Sequence, residues 1–242
     1  MLSKFIWGAD MLEIESLNQF YGGSHTLRDV SLRLAQGECL GLLGRNGVGK
    51  TTLLKCLMGV LPIRSGSIRL DGSDIAQLAP HRRVARGMAY VPQGRDIFAR
   101  LTVEENLFMG MASKPASAAR RIKDEIYELF PVLRTMLARR GGDLSGGQQQ
   151  QLAIARALVA EPRFIILDEP TEGIQPSIIK DIGRVIHLLR ARGDIGILLC
   201  EQYFEFAREL ADHFIVLNRG EVVARGDRTQ IGSEEVRRHL SV

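Results

Sequence analysis

The sequence predicts an α/β fold built on a mainly parallel β-sheet. Three observations predict it. Short apolar runs alternate with segments of helical periodicity along most of the chain. A glycine-rich stretch, Gly44-Arg-Asn-Gly47-Val-Gly49-Lys50-Thr51, lies between one apolar run and one helical segment. Phe164 to Leu167 is apolar at every position, the pattern of a strand covered on both faces.

The elements follow in order. Leu12 to Leu17 and Thr26 to Leu34 have strand character, and Gly22-Gly23 separates them like a turn. Cys39 to Leu43 is a short apolar strand, and Thr52 to Met58 has helical propensity. Ser67 to Leu70 and Met88 to Val91 are further short strands. Residues 95–147 then read as a mostly helical insert. Thr102 and Glu105 form a capping box at the start of a helix to about Ala112. Ile122, Ile126 and Leu129 share one helical face, and Pro131 ends that stretch. Alternation then resumes. A helix from about Gly147 to Val159 precedes the apolar strand, and Pro176 opens a long helix that Gly193 stops. Ile195 to Cys200 and Phe214 to Leu217 are two more buried strands.

The chain has 242 residues, 45% of them hydrophobic, enough for a sizeable core. The formal charge of +4 is mild, and the pairs Arg82-Arg83, Arg120-Arg121, Arg139-Arg140 and Arg237-Arg238 are scattered rather than gathered into a stripe. That excludes a nucleic-acid partner and at most marks an anionic membrane face nearby. Cys39, Cys56 and Cys200 are far apart and odd in number, which points to reduced, structural cysteines. No apolar run is long enough to cross a bilayer, and the N-terminus lacks the pattern of a signal peptide, so membrane association is expected through partners.

Residues 44–51 match the P-loop pattern G-x-x-x-x-G-K-[ST] in full. The glycines let backbone N–H groups turn inward around phosphate oxygens, and the following helix adds its positive end. Lys50 would neutralise the β- and γ-phosphates, and Thr51 would offer its hydroxyl to Mg²⁺. Asp168 and Glu169 close an apolar strand at the sheet edge where α/β folds bind ligands. Asp168 would hold Mg²⁺ through water, and Glu169 would orient and deprotonate the attacking water. Leu144-Ser145-Gly146-Gly147-Gln148 opens a helix with a serine and two glycines, a second anion site. One chain needs no second γ-phosphate site, so two chains would complete each other's.

LSGGQ shortly before FIILDEP resembles the hallmark of the ABC (ATP-binding cassette) ATPases. The resemblance covers residues 11–242 as a single ATPase domain and leaves residues 1–10 as an N-terminal extension. It implies a P-loop NTPase, RecA-like core over 11–94 and 148–242, with an N-terminal antiparallel β-subdomain. It also implies a helical subdomain over 95–147 that ends in LSGGQ. ATP and Mg²⁺ are the implied cofactors. ATP would be held by Tyr21, stacked on adenine, and by Gly44, Arg45, Asn46, Gly47, Val48, Gly49, Lys50, Thr51 and Thr52. Ser145, Gly146, Gly147 and Gln148 would bind the ATP of the other chain in trans. Thr51, Gln93 and Asp168 would serve Mg²⁺, and Glu169, Gln93, Gln202 and Lys50 would serve catalysis. The implied partners are a second ATPase subunit, identical or not, two membrane permease subunits and, indirectly, a solute-binding protein. The implied location is peripheral, on the cytoplasmic face of the inner (plasma) membrane.

One segment and one residue depart from the wider family. Glu172-Gly173-Ile174-Gln175 follows Asp168-Glu169-Pro170-Thr171 where Ala-Leu-Asp is usual, and Gln202 stands where a histidine is usual. Glutamine hydrogen-bonds but does not become a cation near neutral pH. Both departures resemble the importer ATPases for branched-chain amino acids and urea. FYGGSHTLRDVSL, GRNGVGKTTLLKCLMG, Gln148 to Gln151 and VRRHLSV resemble the urea branch most. ATP-driven urea import is therefore the expected function, with branched-chain amino-acid import as the alternative. A soluble ABC protein of DNA repair or translation would need a long coiled-coil insert or two cassettes, and this chain has neither. A P-loop kinase or GTPase would leave LSGGQ unexplained.

Overall fold

The computed structural model describes residues 10–112, 114, 121–231, 234, 236 and 238. The N-terminal extension, apart from Asp10, lies outside the described residues. The chain begins with β1 (Asp10–Tyr21), β2 (Ser24–Ala35), β3 (Cys39–Leu43) and α1 (Lys50–Leu57). β4 (Ser65–Leu70), β5 (Ser73–Asp74), α2 (Pro80–Val84) and β6 (Met88–Val91) follow. Then come α3 (Val103–Gly110), α4 (Asp124–Leu129), α5 (Pro131–Arg134), a 3₁₀ turn (Gly141–Asp143) and α6 (Gly146–Leu158). The last third holds β7 (Phe164–Asp168), α7 (Pro176–Arg192), β8 (Gly196–Glu201), α8 (Phe204–Leu210), β9 (His213–Asn218) and β10 (Glu221–Asp227).

Two sheets result. One is antiparallel, in the order β2-β1-β4-β5. The other runs β10-β9-β3-β8-β7-β6 and is parallel except for its β10 edge. Apolar alternation explains how the parallel sheet is covered. Ile165, Leu167, Ile197 and Leu199 pack with the helices α3 to α8 on one face. Phe164, Ile166, Leu198 and Cys200 pack with α1 and the antiparallel sheet on the other. β7 is thus apolar throughout because both of its faces are buried.

Most expected elements are present, and the differences have local causes. β1 and β2 are longer than their apolar patterns. Ser16 sits at φ 46 in a bulge that shifts the inward phase of β1 from Leu12 and Ile14 to Leu17 and Gln19, which breaks simple alternation. Pro131 does end α4, but it also opens α5, at the first helical position where its missing N–H costs nothing. The capping box at Thr102 and Glu105 is formed. α2, α8, β5 and β10 are not read from the sequence.

The pair Arg82-Arg83 is not a surface pair. Arg83 is only 1% exposed. Its guanidinium donates to Cys56 O at 2.8 Å and Leu57 O at 2.7 Å, carbonyls in the last turn of α1. It also donates to Leu78 O and Ala76 O. The helix that starts at the P-loop is therefore capped at its far end by a buried cation. All three cysteines are buried free thiols, and burial pushes Cys39 up to about 12 and Cys56 up to about 11. Among the described residues no helix is long and apolar enough to cross a membrane.

Candidate active site at the edge of the parallel sheet

Strand register puts four loops in a row. β3 pairs with β8 so that Leu43 faces Glu201, β7 pairs with β8 so that Asp168 faces Cys200, and β6 pairs with β7 so that Val91 faces Leu167. The loops that leave these strands carry the P-loop, Gln202, Glu169 and Gln93, all on one edge of the sheet.

The P-loop folds as its glycines require. Gly44 has φ 154, and a Cβ there would lie 2.5 Å from Leu217 O. Gly49 has φ 112 and is the N-cap of α1. Gly47 has φ 78 and no atom within 4 Å of a Cβ position, so its conformation rather than crowding calls for glycine. Lys50 is buried and donates to Gly44 O at 2.6 Å and Arg45 O at 3.0 Å. Thr51 and Thr52 are half-buried in the first turn of α1, and Arg45 and Asn46 are exposed on the loop. The antiparallel hairpin runs beside this loop, with Thr26 O 3.5 Å from the Cβ position of Gly49. Tyr21 stands at the hairpin tip, paired with Ser24 and 49% exposed.

Glu169 is the hub of the site. It is a non-glycine residue at φ 48, fixed by its N–H to Cys200 O at 2.9 Å. Its Oε1 receives Gln202 Nε2 at 2.8 Å and faces Lys50 Nζ at 3.3 Å. Its Oε2 receives Gln93 Nε2 at 3.3 Å. Gln93 also donates to Glu172, and Gln202 also donates to Asn46 Oδ1 at 2.5 Å. Lys50, Gln93, Glu169 and Gln202 thus come together as expected.

Asp168 is 1% exposed, and its Oδ2 accepts from the Tyr90 hydroxyl at 3.0 Å. Its buried Oδ1 has no hydrogen-bond partner among the described residues. Burial raises the Asp168 pKa, against the pull of the Cys200 thiol and the Tyr90 hydroxyl. An open buried carboxylate oxygen fits a metal-bound water. Among the described residues no three His, Cys, Asp or Glu side chains are placed to hold a metal by themselves. Mg²⁺ would therefore take most of its ligands from phosphate and water, its usual habit in nucleotide sites.

Among the described residues the LSGGQ segment makes no hydrogen bond or ion pair with Lys50, Glu169 or Gln202. Ser145 is the N-cap of α6 and forms a capping box with Gln148. A Cβ on Gly147 would lie 2.8 Å from Ile178 Cγ1, and one on Gly146 would lie 3.0 Å from Arg95 Nη1. The glycines thus also serve close packing on α7 and the Gln93 loop. Among the described residues no hydrogen bond or ion pair joins residues 145–148 to residues 44–52. Sequence reasoning missed two groups here, Tyr90 and Glu201. The available signal was a polar residue set in, or abutting, an apolar strand.

Residues 27–172 match the family model described as ABC transporter. The chain is 41% identical over 213 residues to the high-affinity branched-chain amino acid transport ATP-binding protein BraG of Pseudomonas aeruginosa, covering 88% of this chain and 91% of that one. It is 36% identical to the lipopolysaccharide export system ATP-binding protein LptB of Escherichia coli, covering 93% of each. Among solved structures, an ATP-binding cassette of an ABC transporter superposes with a TM-score of 0.83 at 26% identity, covering 95% of this chain and 96% of that one.

Proposed function

The chain belongs to the ABC transporter family, and on that premise we propose that it is the ATP-hydrolysing subunit of an importer, one half of a two-site dimer docked on membrane permease subunits. Family membership carries ATP hydrolysis with Mg²⁺. One observation supports the shared-site part of the reading. The phosphate-binding loop and the helix N-terminus at Ser145 are both formed, yet among the described residues no hydrogen bond or ion pair joins them. A second chain, related by a two-fold axis, would bring its Ser145, Gly146, Gly147 and Gln148 to the ATP on Lys50.

In that arrangement Tyr21 stacks on adenine, and backbone N–H groups of residues 44–52 cradle the phosphates. Mg²⁺, when bound, neutralises phosphate charge beside Thr51, Gln93 and Asp168. Lys50 turns from the loop carbonyls and Glu169 to the β- and γ-phosphates. Glu169, released from Lys50, takes a proton from the attacking water. Gln202 moves its amide between Glu169 and the γ-phosphate. Gln93 passes the state of the site to the helical segment at 95–147, where a permease helix would dock.

The 41% identity to a branched-chain amino acid transport protein favours amino acids as cargo. Glu172-Gly173-Ile174-Gln175 and Cys200-Glu201-Gln202 resemble that importer branch, which weighs against lipopolysaccharide export despite the 36% identity to LptB. Urea is the second reading, favoured by FYGGSHTLRDVSL and VRRHLSV. The test is uptake of labelled leucine and of labelled urea in cells that lack this chain. The expected result is loss of leucine uptake, restored by the wild-type chain and not by Glu169→Gln. Loss of urea uptake alone would select the second reading, and loss of neither would contradict import.

A further inference from the structure

We propose that Glu201 is a positioning residue whose carboxylate ties the loop of the general base to the loop of Gln202, so that the two act as one rigid unit in hydrolysis. Glu201 is the last residue of β8 and is 2% exposed. Its two oxygens divide their work. Oε1 accepts from Thr171 N at 3.2 Å and Thr171 Oγ1 at 2.8 Å, two residues beyond Glu169. Oε2 accepts from Gln202 N at 3.1 Å and Tyr203 N at 3.1 Å. One oxygen therefore holds each loop.

Three of the four partners are backbone N–H groups that only donate, shared between both oxygens, so each oxygen must accept. An ionised carboxylate does this, and a glutamine would turn an NH₂ toward donors. Placing a carboxylate at the buried end of an apolar strand is costly unless it is fully hydrogen-bonded. An apolar residue would fill the space but leave the donors unpaired. Burial raises the Glu201 pKa, against the pull of Thr171 and the loop N–H groups.

The tie has a target. Glu169 keeps a left-handed backbone, and the residue before Glu201 already grips it through Cys200 O. The Gln202 amide must reach both Glu169 Oε1 and Asn46 Oδ1, at 2.8 Å and 2.5 Å. That reach depends on where both loops sit, and Glu201 sets both. It touches neither nucleotide nor water in this scheme and acts through Gln202 and Glu169.

The inference rests on Glu169 as general base, so Glu169→Gln is measured in parallel on the full chain. Glu201→Gln, Gln202→Ala and their double variant are compared for kcat, ATP affinity and Tm. Glu201→Gln should lower kcat roughly 10–100-fold, the range for groups that orient a working residue. ATP affinity should stay unchanged, because the P-loop and Tyr21 are untouched. The double variant should be no slower than the slower single one, since both changes break the same link. Thr171→Val, which removes one donor, carries the same cycle if Glu201→Gln does not fold, with a smaller fall in kcat. Losses that multiply, a kcat equal to wild type, or a joint fall of affinity, Tm and kcat would overturn the proposal. Wild-type hydrolysis by Glu169→Gln would instead overturn the base assignment beneath it.

Discussion

Lys50 Nζ stands 3.3 Å from Glu169 Oε1, and both side chains are buried. The two buried charges neutralise each other. The same Oε1 also receives Gln202. On the proposed reading, an arriving γ-phosphate would compete with Glu169 for both donors, and loading the site would free the base.

Removing the cation should have two separable effects. Lys50→Ala should weaken ATP binding, measured by calorimetry. It should also destabilise the nucleotide-free protein, because Glu169 loses its charge partner. Breaking a buried pair costs up to about 3–5 kcal/mol, and the Gln93 and Gln202 bonds to Glu169 should reduce that figure. Lys50→Ala with Glu169→Gln should regain the stability and not the binding, read as Tm against Kd. A double variant no more stable than Lys50→Ala would show that the pair carries no such strain.

Position 202 should decide how the rate depends on pH. Glutamine is neutral throughout, so kcat should lack a step near a histidine pKa of about 6.5 that arises here. Gln202→His should install one. The measurement is kcat across pH for both proteins, and identical profiles would mean that residue 202 does not act on the reacting groups.

Asp168 should make the empty protein more stable when it is neutral. Its folded pKa is raised above 3.8 by burial. Folding therefore favours the protonated acid, and stability is lost as pH rises through the folded pKa. Asp168→Asn should have the higher Tm at about pH 8 without nucleotide or Mg²⁺, because the amide carries no charge to bury. The gap should close as pH falls below 3.8. A lower Tm for the variant at high pH would contradict this account of the carboxylate.

Much of the site was legible because its signals are local. The glycine spacing of residues 44–51, the apolar run into Asp168-Glu169 and the LSGGQ segment each lie within a few consecutive residues. Tyr21, Gln93 and Gln202 needed the family resemblance, since each is an unremarkable loop residue by itself. Tyr90 and Glu201 showed only as polar residues in or beside apolar strands, because their meaning arises from partners far away in sequence. Tyr90 meets Asp168 only across the β6–β7 ladder, and Glu201 meets Thr171 only because β8 adjoins β7. Arg83 was misread for the same reason, as its acceptors at the end of α1 lie 26 and 27 residues back. The Ser16 bulge hid half of β1 by shifting its period.

The most direct test of the account is turnover by Glu169→Gln beside its binding of ATP with Mg²⁺. With the amide in place of the carboxylate, the site keeps its shape and its donors but has no base for the attacking water. The account predicts retained ATP binding, hydrolysis reduced by a factor on the order of 10²–10⁴, the usual span of a lost general base, and ATP-bound dimers that persist on a sizing column. Hydrolysis at the wild-type rate, with binding intact, would contradict it.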